Sequence, residues 1–203
     1  MTTRRSLTVS SAADQLAGDT HRRPQDGHRT TVYTIGHSTR TTAELVALLD
    51  AVAVNLLVDV RSIPRSRTNP QFNADVFPAA LGKVGIGYRY IGALGGRRHG
   101  ARATSSNSYW QNASFRAYAD YTATEAFRAG LQELCLLAEE HRCAIMCAEA
   151  VWWRCHRRII ADYLLAKGVA VAHILGANRV DPATPTPGVR RLADGTLVYP
   201  GPE

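Results

Sequence analysis

Lysine is almost missing from this chain. Of its 24 Lys and Arg residues only Lys83 and Lys167 are lysines, and the net charge is +7. The positive charge is therefore carried by guanidinium, a planar fork that grips phosphate or carboxylate at two points. A coding bias explains the same excess without any function. Charge of this sign makes an anionic partner an expectation. No apolar run approaches the roughly 20 residues that a spanning helix needs, so no membrane association is expected. Internal repeats are absent too, which sets aside a solenoid. Cysteine is scarce and confined. Cys135, Cys143, Cys147 and Cys155 lie eight, four and eight residues apart in one segment. That pattern fits neither a dispersed disulfide framework nor a zinc ribbon of paired Cys-x-x-Cys units. Reduced thiols in a cytoplasm are expected, with Cys135 and Cys143 in the core.

What remains suits one globular domain: 203 residues, 45% hydrophobic and 20% charged, enough to bury an ordinary core. Residues 1–30 lack apolar periodicity and read as a disordered extension. Residues 31–180 form a single α/β domain. Residues 181–203, with Pro182, Pro185, Pro187 and Pro200, read as an irregular tail.

Within the domain, strands alternate with helices. Thr31 to Ile35 is a β-branched strand closed by Gly36, and Thr41-Thr42-Ala43-Glu44 is a capping box that opens a helix. Asn55 to Val60 is a second, continuously apolar strand, buried on both faces. Asn73 is placed to cap a helix over about residues 74–83. Tyr88 to Ile91 is a third strand, and Thr122-Ala123-Thr124-Glu125 a second capping box. Cys143 to Met146 is a fourth strand, and Val169 to Ile174 a fifth that follows Gly168. The pattern predicts an open, mostly parallel sheet of about five strands with helices on both faces. A barrel-like α/β fold is the alternative, though closure would need roughly eight strands.

In such a sheet the C-terminal strand ends share one rim, where ligands bind. The chemistry-bearing residues fall there. The first strand end offers His37 and Ser38, the second Asp59 and Arg61, and the third Gly95, Gly96 and Arg97. The fourth is followed by the stretch from Cys147 to Arg158, which holds two thiols, a carboxylate, an imidazole and three guanidiniums. The fifth strand carries His173, read as a core histidine.

Tyr33-Thr34-Ile35-Gly36-His37-Ser38, Val58-Asp59-Val60-Arg61, Asn69-Pro70-Gln71-Phe72-Asn73, Leu94-Gly95-Gly96 and Cys147-Ala148-Glu149 through Cys155-His156-Arg157-Arg158 resemble, in order, the motifs of the family called domain of unknown function 488. The resemblance runs from about Thr31 to Leu175. It implies a cytoplasmic α/β protein of bacteria or archaea and lends no established reaction.

The residues themselves suggest roles. Cys147 or Cys155 supplies a thiolate, Cys155 being helped by a helix start and neighbouring arginines. The run from Cys147 to Arg154 has six intervening residues and two bulky tryptophans, so it is not a phosphatase loop of the Cys-x5-Arg type. Glu149 is a general base or an anchor for Arg61 or Arg157. His37 and Asp59 complete the candidate catalytic set. Arg61, Arg154, His156, Arg157, Gly95, Gly96, Arg97 and Ser38 are candidate substrate contacts, with Arg65, Arg67, Arg98 and Arg102 extending the basic surface. No metal or other cofactor is expected. Zinc suits the ligand types Cys147, Cys155, His156 and His37, but neighbours on a helix point about 100° apart, and Cys155 and His156 would then not share one ion. The leading expectation is an enzyme acting on a phosphate-bearing substrate, a nucleotide or nucleic acid. A non-catalytic nucleic-acid-binding module, with Trp110, Trp152 and Trp153 for stacking, and a cysteine-based redox or stress sensor are the alternatives.

Overall fold

The computed structural model describes residues 30–98 and 104–201. The expected N-terminal extension and Arg102 lie outside the described residues, apart from Thr30. The elements in chain order are β1 (Thr31–Gly36), α1 (Thr42–Asp50), β2 (Leu56–Asp59), α2 (Phe77–Gly82), β3 (Gly87–Tyr90), α3 (Ala113–Tyr121), α4 (Glu125–Glu140), β4 (Cys143–Cys147), α5 (Arg157–Ala166), β5 (Ala170–Gly176), β6 (Arg179–Pro182), β7 (Arg190–Arg191) and β8 (Leu197–Val198). Six strands form an open sheet in the order β3-β2-β4-β1-β5-β6, parallel except for β6 at the edge. β7 and β8 make a separate small hairpin.

Alternation along the strands divides the interior in two. Cys143, Ile145 and Cys147 of β4 face one core with Val58, Val171 and helices α3, α4 and α5. Ala144 and Met146 face the other, with Ile35, Leu57 and helices α1 and α2. The open α/β architecture is as the sequence indicates, with no closed barrel.

Two local details differ from the sequence reading. Helix α2 starts at Phe77 with Pro78 in its first turn. Asn73 does not cap it: the Asn73 side chain accepts from the Ser66 amide at 2.7 Å and so closes the preceding loop. The N-cap of α4 is Thr124, which accepts from the Phe127 amide. Thr122 lies at the end of α3, and its hydroxyl donates to the Ala119 carbonyl. The first capping box, Thr41 with Glu44, is complete in both directions.

The C-terminal segment is more than an irregular tail. Pro182 is tolerated because β6 is an edge strand. Tyr199 is fully buried, 5.2 Å from the Trp110 ring, and its hydroxyl donates to Asp162 at 3.1 Å. Its amide donates to Asn107. Among the described residues no helix is long and apolar enough to cross a membrane.

Tyr199→Ala should therefore lower stability by about 3–5 kcal/mol, as expected for an aromatic deleted from a core. Urea unfolding measures the loss. A change under about 0.5 kcal/mol, usual for a surface site, would show that the segment does not pack.

Candidate functional site

The sheet topology itself makes a crevice. After β1 the chain moves through α1 to β2, and after β4 it moves through α5 to β5, on the opposite side. α1 and α5 cover opposite faces. The loops leaving the adjacent strands β1 and β4 thus diverge, which is the switch point where open α/β sheets bind ligands. A cavity of about 660 Å³ opens there, lined by His37, Ser38, Arg61, Ser62, Arg65, Asn69, Gly96, Arg97, Cys147, Glu149 and His156, among others.

One wall is a buried ion pair. Asp59 and Arg61 are 0% and 5% exposed, and the carboxylate takes the Arg61 amide, Nε and Nη2, the last at 2.5 Å. Tyr88 adds a hydroxyl donor to Asp59 at 2.8 Å. Arg61 Nη2 also donates to the Phe72 carbonyl, which ties the loop after β2 to the sheet. Removing one partner of such a pair costs about 3–5 kcal/mol. The remaining nitrogen, Nη1, lies 3.4 Å from His37 Nε2. His37 Nδ1 is 2.8 Å from the Ser38 carbonyl. That carbonyl requires a donor, so Nδ1 carries the proton and Nε2 the lone pair that faces Arg61. Burial holds the His37 pKa below its ordinary value, and Arg61 adds to the effect against the Ser38 hydrogen bond. His37 is a neutral acceptor stacked on Phe72 at 4.4 Å.

The floor is a cluster of sulfur and imidazole. Cys155 and His156 precede α5, with His156 at its N-cap. His156 Nε2 is 3.0 Å from the Val60 carbonyl; that nitrogen is the donor, which leaves the Nδ1 lone pair pointing at both thiols. Cys147 Sγ is 3.9 Å and Cys155 Sγ 3.6 Å from Nδ1. Arg157 Nε donates to Cys155 Sγ at 3.3 Å, and its Nη2 to the Glu149 carbonyl at 2.5 Å. Burial opposes ionisation at Cys155, yet the hydrogen bond from Cys147, with His156 and Arg157, holds its thiol well below the usual range. The same hydrogen bond and burial keep the Cys147 thiol well above it. Cys143 differs: burial alone pushes it up to about 12. Cys135 is half-buried, and its thiol is raised chiefly by burial.

Two glycines are sterically required. A Cβ on Gly36 would sit 1.9 Å from the Glu149 carbonyl oxygen, and one on Gly96 2.3 Å from His156 Nδ1. The ring of Tyr118 meets the other side of His156 at 5.1 Å.

The structure thus brings His37, Ser38, Arg61, Gly96, Arg97, Cys147, Glu149 and His156 to one cavity. It does not bring all the expected residues there. Arg157 is 1% exposed and sits behind the floor. Arg154 is exposed and outside the lining. Asp59 lies behind the wall, Cys155 is buried in the floor beneath Cys147 and His156 and outside the lining, and Gly95 packs on Ser62. Glu149 anchors neither Arg61 nor Arg157 through its carboxylate. Asp59 and two backbone carbonyls do that work, and among the described residues the Glu149 carboxylate has no ion pair. The geometric objection to Cys155 and His156 sharing an ion also falls. Cys155 is extended (φ −129°, ψ 145°) and precedes the helix, so helical angles do not apply to it. Cys147, Cys155 and His156 keep their ligand atoms within 4.8 Å of one another.

Three contributors escaped the sequence reading. Ser62 accepts the Arg97 amide at 2.7 Å, Asn69 lines the cavity, and the Val60 carbonyl sets the His156 tautomer. A backbone carbonyl leaves no sequence signal. Arg98 instead lies 3.7 Å over Tyr121 and Arg158 4.9 Å over Trp110, both away from the cavity lining.

Fold and site together define an open α/β protein with a switch-point cavity floored by two sulfurs and an imidazole. The chain belongs to the family described as Domain of unknown function DUF488, which matches residues 41–164. No curated protein and no solved structure matches it.

His173 stands beside this site, with its Nδ1 2.7 Å from Thr34 Oγ1 and its ring 4.3 Å from Trp152. Burial, then Arg157, lowers its pKa from 6.5 to about 4. The unfolded chain therefore takes up this proton first. Stability is intact above pH 6.5 and falls as the pH drops toward 4, by up to roughly 3 kcal/mol. Urea midpoints at pH 7.5 and 4.5 should show a drop that is smaller in His173→Asn. Equal drops in the two proteins would remove His173 from the acid sensitivity.

Proposed function

We propose that this protein is an enzyme acting on an anionic, phosphate-bearing substrate, a nucleotide or nucleic acid, at the C-terminal rim of the sheet. One observation carries the reading: the polarised sulfur–imidazole floor opens into a cavity whose walls bear Arg61, Arg65 and Arg97. A surface that only binds anions needs the cations and not the floor. Trp110, one of three tryptophans considered for base stacking, is buried against Phe115 and Tyr199, which weakens the case for a binding module.

Arg97 is the exposed cation that meets the anion. Arg61 shapes the wall, its guanidinium committed mainly to Asp59 and Phe72. Glu149 is the proton acceptor at the lip, its carboxylate in no ion pair among the described residues. His37 accepts hydrogen bonds as a neutral ring. Cys147, the thiol that reaches the cavity, and His156 present the floor to the reacting group.

Turnover of a panel of nucleotides and phosphate esters tests this. Glu149→Gln should lower kcat by about 10²–10⁴-fold, the usual share of a general base, with KM little changed. Arg97→Ala should raise KM, while Arg154→Ala leaves both constants alone. Unchanged kcat in Glu149→Gln would remove it from the mechanism. Equal effects of Arg97→Ala and Arg154→Ala would refute the cavity as the anion site.

A further inference from the structure

The floor of the cavity has a second property. A four-coordinate zinc ion with Zn–S near ~2.3 Å and Zn–N near ~2.0–2.1 Å spaces its ligand atoms roughly 3.6–3.8 Å apart. The distances from His156 Nδ1 to Cys147 Sγ and Cys155 Sγ are 3.9 and 3.6 Å, and all three atoms lie within 4.8 Å of one another. From this geometry we infer that Cys147, Cys155 and His156 bind one soft divalent metal ion, zinc, with its fourth position open to the cavity.

Independent features agree. A ligating histidine commonly donates its other ring nitrogen to a carbonyl, which fixes the tautomer and aims the lone pair; His156 Nε2 does so to Val60 at 3.0 Å. A thiolate ligand is steadied by an N–H donor, and Arg157 Nε supplies one to Cys155 Sγ at 3.3 Å. Gly96 and the Tyr118 ring hold the imidazole from two sides. Two thiolates would balance the charge of the ion, so the nearby arginines do not exclude it. Sulfur donors select zinc over magnesium or calcium. Cys147 and His156 line the cavity that Glu149 and His37 also line, so a position left open at the ion would be reached from there. Three protein ligands and one open position distinguish a catalytic ion from a structural one, whose four ligands come from protein. A water or substrate oxygen can take the open position, within the cavity lined by the carboxylate assigned above as proton acceptor. The binding site stands on its own geometry; its use in turnover rests on the function proposed above.

The test uses the full chain, kept reduced, stripped with a chelator and titrated with cobalt(II) without oxygen. The expected result is one cobalt per chain, with sulfur-to-cobalt charge transfer and the intense visible bands of a four-coordinate ion, lost when zinc is added. Cys147→Ser and Cys155→Ser should each weaken binding at least about 100-fold and reduce the charge-transfer band. Gly96→Ala should weaken it about 10–100-fold by displacing the ring, as loss of a supporting contact does. Cys135→Ser should bind like the parent protein. An absence of charge transfer in the reduced parent protein would overturn the site whether or not the variants fold. So would unchanged affinity in a folded Cys147→Ser. Failure here, with Glu149→Gln still defective in stripped protein, leaves the substrate reading intact. A bound metal with no turnover of any phosphate compound overturns that reading and keeps the site.

Discussion

A guanidinium is buried in this protein with no carboxylate paired to it among the described residues. Among the described residues Arg157 is the largest fully buried side chain, and its polar partners there are the Cys155 sulfur and the Glu149 carbonyl. Arginine does not give up its proton in a protein, and an uncompensated charge in an interior is costly. The sulfur is the group in contact that can carry the opposite charge. This one requirement ties together the start of α5, the backbone of the loop after β4 and the ionisation of the floor. It also explains why the arginine of the Cys-His-Arg run acts from behind the site and leaves contact with the ligand to others.

The rim around it is built in the same manner, with side chains that fix one another before any ligand arrives. Asp59 holds Arg61, Arg61 holds the Phe72 carbonyl and faces His37, and Phe72 stacks on His37. Val60, at the end of β2, fixes the imidazole of His156 from a different strand. β1, β2 and β4 therefore each place a chemical group at the crevice where their connections part. The charge of the chain is spent less evenly than its composition suggests. Arg98 and Arg158 lie over aromatic rings, and Arg89 and Arg179 pair with surface carboxylates.

The sequence discloses the fold through signals that are local. The continuous apolar run of β2 and β4, the Thr41–Glu44 box and Gly168 at the end of α5, with φ of +82°, each follow from short-range chemistry. Strand order does not. That β4 inserts between β1 and β2 is decided by long-range packing, and Pro182 disguises β6 as a loop. Tyr199 is hidden for the same reason, since its partners Asn107, Trp110 and Asp162 are remote in sequence. At the site, residue types at strand ends identify the rim, but roles assigned by type fail for arginine. Arg61, Arg97, Arg154 and Arg157 look alike in sequence and are, in turn, a wall, a cavity cation, a surface residue and a buried counter-charge. Glu149 resembles a structural anchor until the backbone carbonyls that replace it are seen. Cys155 and His156 do not stand at the helical angle of about 100°, because both precede α5, which begins at Arg157.

The central claim is that the cavity receives an oxyanion above a preformed sulfur–imidazole floor. A high-resolution crystal structure of the full chain grown with inorganic phosphate tests it most directly. The account predicts phosphate within hydrogen-bonding distance of Arg97, over Cys147 and His156, with His156 Nε2 still on the Val60 carbonyl and Glu149 unpaired. An empty cavity with Glu149 bound to Arg61 or Arg97, or with His156 turned away from both sulfurs, would contradict it.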